Sequence, residues 1–241
     1  MKIAIIGYGK MGHAIEALAL ARGHEIVYRT NGEWPLVGAV ARWRNDVLPR
    51  PDVAVEFSVP TEAYSNVLDC MRGNVPVVCG TTGWYSRYDE AARYCREFGR
   101  KLLTATNFSV GMNIMFELNR RLAELMASHP EYSVGISETH HIHKLDAPSG
   151  TAITLQEQIV EQRCTCKGMT RKECDAMVPI ASFREGEVPG THTVRYDSPI
   201  DSIYLTHEAH SREGLAQGAL LAAEWLVNAA PGVYTMRDVL V

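Results

Sequence analysis

The chain has 241 residues, enough for one large domain or two small ones, and its 46% hydrophobic and 22% charged content excludes a disordered chain. A formal net charge of -4 excludes broad electrostatic binding to nucleic acid or to an anionic membrane. No apolar run approaches the roughly 20 residues that span a bilayer, and the start to Gly7 is too short for a signal peptide, so a cytoplasmic protein is expected.

Ile3 to Ile6 is a continuous apolar run, as in a strand covered on both faces. Met11, Ala14, Ile15, Leu18 and Ala19 follow at helical spacing. Strands are expected at 25–28, 52–57, 75–79 and 101–105, and helices near 61–71 and 86–98. Strands alternating with helices imply parallel pairing through right-handed crossovers, hence an α/β fold with a Rossmann-type, doubly wound parallel sheet.

The second half changes character. A helix is expected from about 111 to 128, with Ile114, Met115, Leu118, Leu122 and Leu125 on one stripe. Tyr132, Val134 and Ile136 then alternate with Ser133, Gly135 and Ser137, the pattern of a half-buried strand. A helix over about 149–162 and strands at 178–184, 192–197 and 202–207 complete a second α+β domain with a mixed or antiparallel sheet. The last long helix, about 213–228, returns to the first domain. Residues 1–108 and 215–241 are thus expected to form a dinucleotide-binding domain, and 109–214 a domain for substrate and oligomerisation.

Gly7-Tyr8-Gly9-Lys10-Met11-Gly12 is a G-x-G-x-x-G that follows a strand and opens a helix. The first glycine permits the tight turn, the second lets backbone approach a pyrophosphate, and the third allows close helix–strand packing. Helix N–H groups and the positive dipole end would face the phosphates. The acid that such folds place after the second strand is missing. Arg29 there would pair with a 2′-phosphate and favour NADPH; with Asn31 or Thr30 on the ribose instead, NADH and NADPH both serve. Gly80-Thr81-Thr82-Gly83 and Ala105-Thr106-Asn107-Phe108 end two further parallel strands, where ligands of such sheets collect.

His140, His141, His143 and Lys144 fall within five residues after the alternating strand. Metal ligation at i, i+1 and i+3 is awkward at one strand end, whereas histidine titrates near neutrality and lysine can hold an anion. Next comes Asp146-Ala-Pro-Ser-Gly-Thr-Ala152, in which Pro148 imposes an extended approach and Ser149 is a good N-cap. Ala152, Ile153, Leu155 and Ile159 give the helix its apolar face. Gly150 and Thr151 therefore offer an anion site at a helix start, beside the histidines. Six cysteines (Cys70, Cys79, Cys95, Cys164, Cys166 and Cys174) read as free thiols. The last three lack a second Cys-x-x-Cys or a histidine pair and read as a loop, so no metal is expected.

Together Gly7–Gly12, Gly80–Gly83, 105–113, Glu138–Ala152, 190–194, 210–214 and 234–238 resemble the 4-hydroxy-tetrahydrodipicolinate reductase (dihydrodipicolinate reductase) family of diaminopimelate and lysine biosynthesis. The resemblance spans nearly the whole chain, and Glu138–Ala152 is its most specific part. It implies His140 as proton donor, Lys144 as a second catalytic group, and His141, Gly150 and Thr151 on the carboxylates of a cyclic imine dicarboxylate. It implies cofactor contacts from Gly7–Gly12, Gly80–Thr82 and Ala105–Phe108, use of NADH or NADPH, and a homotetramer joined through the second-domain sheet. The segment between Asn31 and Asp52 is shorter than the family pattern. Hydride would add to C4, the 4-hydroxyl would leave as water, and His140 would protonate C3 while Lys144 stabilises developing charge. Two rival readings are another dehydrogenase of this fold, such as one acting on aspartate, and a nucleotide-sensing protein without turnover.

Overall fold

The computed structural model describes residues 1–30, 36–45, 47–164, 173, 176–211 and 213–240, and of residue 164 the backbone only. Asn31, Cys166 and Cys174 of the sequence reading lie outside the described residues. The chain divides into two compact units, Met1–Val110 with Glu213–Val241, and Gly111–Arg212.

In the first unit β1 (Lys2–Ile6), α1 (Lys10–Ala21), β2 (Glu25–Arg29), α2 (Leu36–Arg44), β3 (Val53–Glu56), α3 (Pro60–Arg72), β4 (Val77–Cys79), α4 (Tyr88–Glu97) and β5 (Lys101–Thr104) alternate. Helix α7 (Glu213–Asn228), β10 (Gly232–Tyr234) and α8 (Met236–Leu240) complete it. All neighbouring strands pair parallel, in the order β10-β5-β4-β3-β1-β2. The strand pleat sorts the apolar runs into two layers. Ala4, Ile6, Ala54, Val77 and Leu102 join residues of α2, α3 and α4. Ile3, Ile5, Val53, Val55, Val78 and Leu103 join residues of α1 and α7. Coverage on both faces explains why these strands read as unbroken apolar runs.

Helix α2 and strand β10 were not expected from the sequence. Leu36, Ala39, Val40 and Trp43 are buried at helical spacing, so Leu36–Arg44 is a packed helix. Strand β10 is three residues at a sheet edge, too short to show a period.

In the second unit α5 (Val110–Met126) leads into β6 (Ser133–His140), α6 (Gly150–Cys164), β7 (Ile180–Arg184), β8 (Gly190–Asp197) and β9 (Ser202–Ala209). The sheet is mixed, in the order β7-β6-β8-β9, with β6–β7 parallel and the other pairs antiparallel. Two apolar stripes are corrected here. Helix α5 buries Met112, Met115, Phe116, Asn119, Ala123 and Met126, leaving Ile114, Leu118 and Leu125 about half exposed. Asn119 disguised the buried stripe; its amide nitrogen donates to the Leu155 carbonyl (3.1 Å) and to Gln158 Oε1 (2.9 Å). Helix α6 buries Ala152, Leu155, Ile159 and Val160, while Ile153 is exposed. Burial of Leu155 or Ile159 contributes roughly 1.5–3 kcal/mol each. Among the described residues no helix is long and apolar enough to cross a membrane.

Candidate functional site

The three glycines of the first turn have different neighbours. Gly7 sits at φ 87°, and a Cβ there would lie 2.1 Å from the Phe57 carbonyl oxygen at the end of β3. This is where the sheet order reverses, between β1 and β3, the place at which such sheets bind ligands. A Cβ at Gly12 would lie 2.5 Å from the Gly7 oxygen. Around Gly9, which caps α1, there is nothing within 4 Å of the Cβ position. Two glycines are therefore demanded by packing, and the third leaves space at a helix start. That cradle fits a pyrophosphate, with Lys10 and Met11 beginning the helix behind it.

Side chains around the cradle are tied to one another. Arg29 donates through Nε to Glu16 Oε1 (2.9 Å) and pairs with it again through Nη2, and its guanidinium lies 5.9 Å from the centroid of the Tyr8 ring. The Tyr8 hydroxyl donates to Glu16 Oε2. Arg29 holds the Glu16 carboxyl below its ordinary range. A 2′-phosphate on Arg29 would thus compete with Glu16.

At the other strand ends the sequence-read residues differ in their availability. Thr81 is buried and its hydroxyl accepts the Ser58 N–H (2.9 Å), while Thr82 is exposed. Thr106 is exposed, Ala105 and Asn107 are half-buried, and Asn107 Oδ1 accepts the Ser109 N–H (2.9 Å). Phe108 is core, its ring 5.5 Å from that of Phe57, so any cofactor contact from it falls to its backbone. One buried acid here was missed. Glu56, at the end of β3, accepts from Ser58, Asn66 (3.3 Å) and the Cys79 thiol (3.1 Å). The signal was an acid closing the apolar run Val53-Ala-Val-Glu56.

The second unit's site follows from strand parity. Val134, Ile136, Glu138 and His140 are the buried face of β6, so the strand that begins apolar ends in a carboxylate and an imidazole. Register sets Ser182 of β7 and His192 of β8 opposite Glu138, and Arg184 opposite His140. Glu138 Oε1 accepts the Ser149 N–H (2.9 Å) and the Ser182 hydroxyl (2.7 Å). Its Oε2 lies 3.6 Å from His140 Nδ1 and 3.6 Å from His192 Nε2, charge contacts longer than hydrogen bonds. Burial alone would raise the Glu138 carboxyl, but His192, Ser149 and Ser182 outweigh it and hold it well below the carboxylate range. Burial, helped by His192, Lys144 and Arg184 against the opposing Glu138, pushes His140 down to about 4.

Ser149 caps α6 through Oγ, which accepts the Ala152 N–H (3.2 Å) and lies 3.3 Å from His192 Nε2. Gly150 and Thr151 therefore open a helix whose start is anchored to the Glu138 cluster. Lys144 pairs with Asp146 (2.8 Å), and Arg184 fixes that loop by donating to the Lys144 carbonyl (3.1 Å) and the Asp146 carbonyl (2.5 Å). His141 and His143 lie past the strand, their rings 6.1 Å apart, with His143 towards Glu187 (3.3 Å). The structure thus joins His140, Lys144 and the α6 start through Glu138, Ser149, His192 and Arg184, none of which had been given a role in the chemistry. Donor atoms of Glu138, His140 and His192 lie within 4.8 Å of one another, the spacing of a conceivable metal site. With Oε1 taken by two donors and the Ser149 hydroxyl on His192, the set reads more directly as a proton-holding cluster.

Comparison with known proteins gives a consistent result. Residues 1–108 match the family model described as dihydrodipicolinate reductase, N-terminus, and residues 111–240 the one described as its C-terminus. A 4-hydroxy-tetrahydrodipicolinate reductase of Christiangramia forsetii is 46% identical over 241 residues, covering 100% of this chain and 98% of that protein. One from Methanopyrus kandleri is 38% identical over 199 residues, 78% of this chain and 71% of that one. The solved structure of a dipicolinate-bound dihydrodipicolinate reductase from Paenisporosarcina sp. TG-14 shares the fold, with TM-score 0.76, 22% identity, and coverage of 99% and 98%.

Proposed function

The chain belongs to the dihydrodipicolinate reductase family, and from that premise we infer that it reduces 4-hydroxy-tetrahydrodipicolinate to tetrahydrodipicolinate with NADH or NADPH, in diaminopimelate and lysine biosynthesis. The observation that carries the site assignment is the parity of β6, which places His140 beside a buried carboxylate while Lys144 and the start of α6 stay in the same unit. The residues of the first unit bind cofactor, and those of the second bind the dicarboxylate.

Loss of the 4-hydroxyl with a C3 proton as water leaves the ring conjugated, and a reduced cofactor, its pyrophosphate held by the Gly7–Gly12 cradle, would supply the hydride taken up at C4. Gly150 and Thr151 offer N–H groups and a hydroxyl to one carboxylate, and His141 contacts the other. Hydride addition delivers negative charge into the conjugated system, and the Lys144 ammonium stabilises it. His140 transfers a proton from Nε2 to C3 as general acid. In the free protein that imidazole is neutral near pH 7, because burial pushes it down to about 4. A bound dianion reverses the balance, so the proton enters with the substrate.

His140→Gln is expected to lower kcat by about 10²- to 10⁴-fold with little change in KM, read from cofactor oxidation with enzymatically generated substrate. Near-normal turnover would remove His140 as the acid. Reduction of NAD+ or NADP+ with aspartate, and no oxidation of reduced cofactor with the cyclic imine, would favour the rival dehydrogenase.

A cytoplasmic homotetramer completes the proposal. The outward face of the second sheet carries Thr193 and Thr206, 3.0 Å apart, with Phe183 and Tyr204 exposed, a surface suited to packing on a second copy. Sedimentation of the same preparation as a monomer would exclude it.

A further inference from the structure

We propose that Glu138 is the positioning residue of this site: one buried carboxylate sets which nitrogen of His140 carries the proton and joins that imidazole to the helix that holds the substrate carboxylate. The inference rests on the proton-donor reading of His140 but concerns a residue that touches neither substrate nor cofactor.

The geometry gives the two oxygens of Glu138 different tasks. Oε1 is saturated by the Ser149 N–H at 2.9 Å and the Ser182 hydroxyl at 2.7 Å, which fixes the rotamer and anchors the start of α6. Oε2 is buried without a hydrogen-bond partner and faces Nδ1 of His140 and Nε2 of His192, each at 3.6 Å. An acceptor-only carboxylate beside Nδ1 favours a proton there. Neutral His140 then holds Nδ1–H towards Glu138 and leaves Nε2 bare, so Nε2 is the nitrogen that receives and delivers the transferred proton. When Nε2 gives its proton to C3, the ring returns to the neutral Nδ1–H form, and Nε2 is reloaded as the next substrate binds.

The surrounding charges make this contact decisive. His140 is faced by Glu138 on its own strand, His192 on β8, Arg184 on β7 and Lys144 on the following loop. Of these only Glu138 favours the imidazolium; the other three oppose it. The rings of His140 and His192 are 5.0 Å apart at 72°, so one carboxylate serves two imidazoles and cannot neutralise both at once. His192 is therefore a competitor for the same charge, held in turn by Ser149.

The test uses the full chain. Nitrogen-15 NMR of histidine-labelled protein, with His140 assigned from the spectrum of His140→Gln, is expected to show Nδ1 protonated and Nε2 bare at neutral pH. In Glu138→Gln the amide replaces an acceptor with a donor, and the tautomer should invert to Nε2–H. In the same variant kcat should fall at least about tenfold, short of the roughly 10²- to 10⁴-fold for removing a general acid, with KM little changed. The pH limb that reports His140 should move to lower pH, and Glu138→Asp should recover part of kcat. Should Glu138→Gln fail to fold, the wild-type tautomer decides alone. An Nε2–H tautomer in the wild type, or a folded Glu138→Gln with unchanged kcat and pH profile, overturns the proposal. Stoichiometric zinc on Glu138, His140 and His192 in the purified protein would also overturn it, because the cation would take the proton's place. Active His140→Gln would sink the proton-donor reading but leave the Nδ1–H tautomer intact, so the two failures are separable.

Discussion

The turn after β1 and the polar end of β6 are built in opposite ways. Around Gly7, Gly9 and Gly12 the site is made by side chains that are not there: two positions have no room for a Cβ, and the third leaves open space. At Glu138, His140 and His192 the site is made by side chains that converge from two strands and are buried together. A site of missing side chains maps residue by residue onto a short motif. A site of converging ones depends on register, which no single strand contains.

The sharpest way to break this contrast is to fill the glycines one at a time. Gly7→Ala combines a left-handed φ of 87° with a Cβ 2.1 Å from a backbone oxygen. It should cost about 3 kcal/mol or more, read as a lower Tm in the absence of cofactor. Gly9→Ala meets nothing within 4 Å, so stability should hold to within about 0.5 kcal/mol, with Tm nearly unchanged, while cofactor Kd rises on the order of tenfold. Equal loss of Tm in both variants would mean that Gly9 is also a packing residue and that the cradle is not open.

The histidine end has its own signature, in pH rather than in temperature. His140 titrates near 6.5 when unfolded and at about 4 when buried in the native protein. Between those values the unfolded chain binds a proton that the native state refuses, so stability falls as pH drops through that window. The difference corresponds to at most about 3 kcal/mol. Denaturant unfolding followed from pH 7 to pH 4 should show this loss in the wild type and a shallower one in His140→Gln. Identical slopes would place the acid sensitivity elsewhere, in groups such as His207, which burial also pushes down.

Much of the fold was legible because its signals are local. The alternating strands and helices of the first unit and the N-cap at Ser149 can each be read within a few residues. Even the missed helix α8 had a local mark, since Thr235 and Asp238 form a capping pair with bonds of 2.8 and 2.9 Å. The site was legible only in part. Its strongest segment names His140 and Lys144, but Arg184, which clamps the Lys144 loop, comes from β7 and carries no mark in its own neighbourhood. The stripe on α5 failed for a related reason. A buried Asn119 is explained only by partners on α6, and periodicity counts it as an outward position.

The smallest expected effect tests whether the glycine region depends on any side chain at all. Arg29, at the end of β2, is the cation expected to read a 2′-phosphate, yet it is paired with Glu16 and its side chain is 38% exposed. An exposed, already neutralised charge has little left to give, about 1 kcal/mol. Arg29→Ala should therefore raise KM for NADPH roughly fivefold and leave NADH nearly unchanged. Glu16→Gln should do the reverse, lowering KM for NADPH, because the phosphate would no longer compete with a carboxylate for the guanidinium. Parallel shifts for both cofactors in either variant would show that Arg29 and Glu16 only brace Tyr8 and α1. Recognition would then rest on the backbone of Gly7–Gly12, and the contrast with the histidine cluster would be complete.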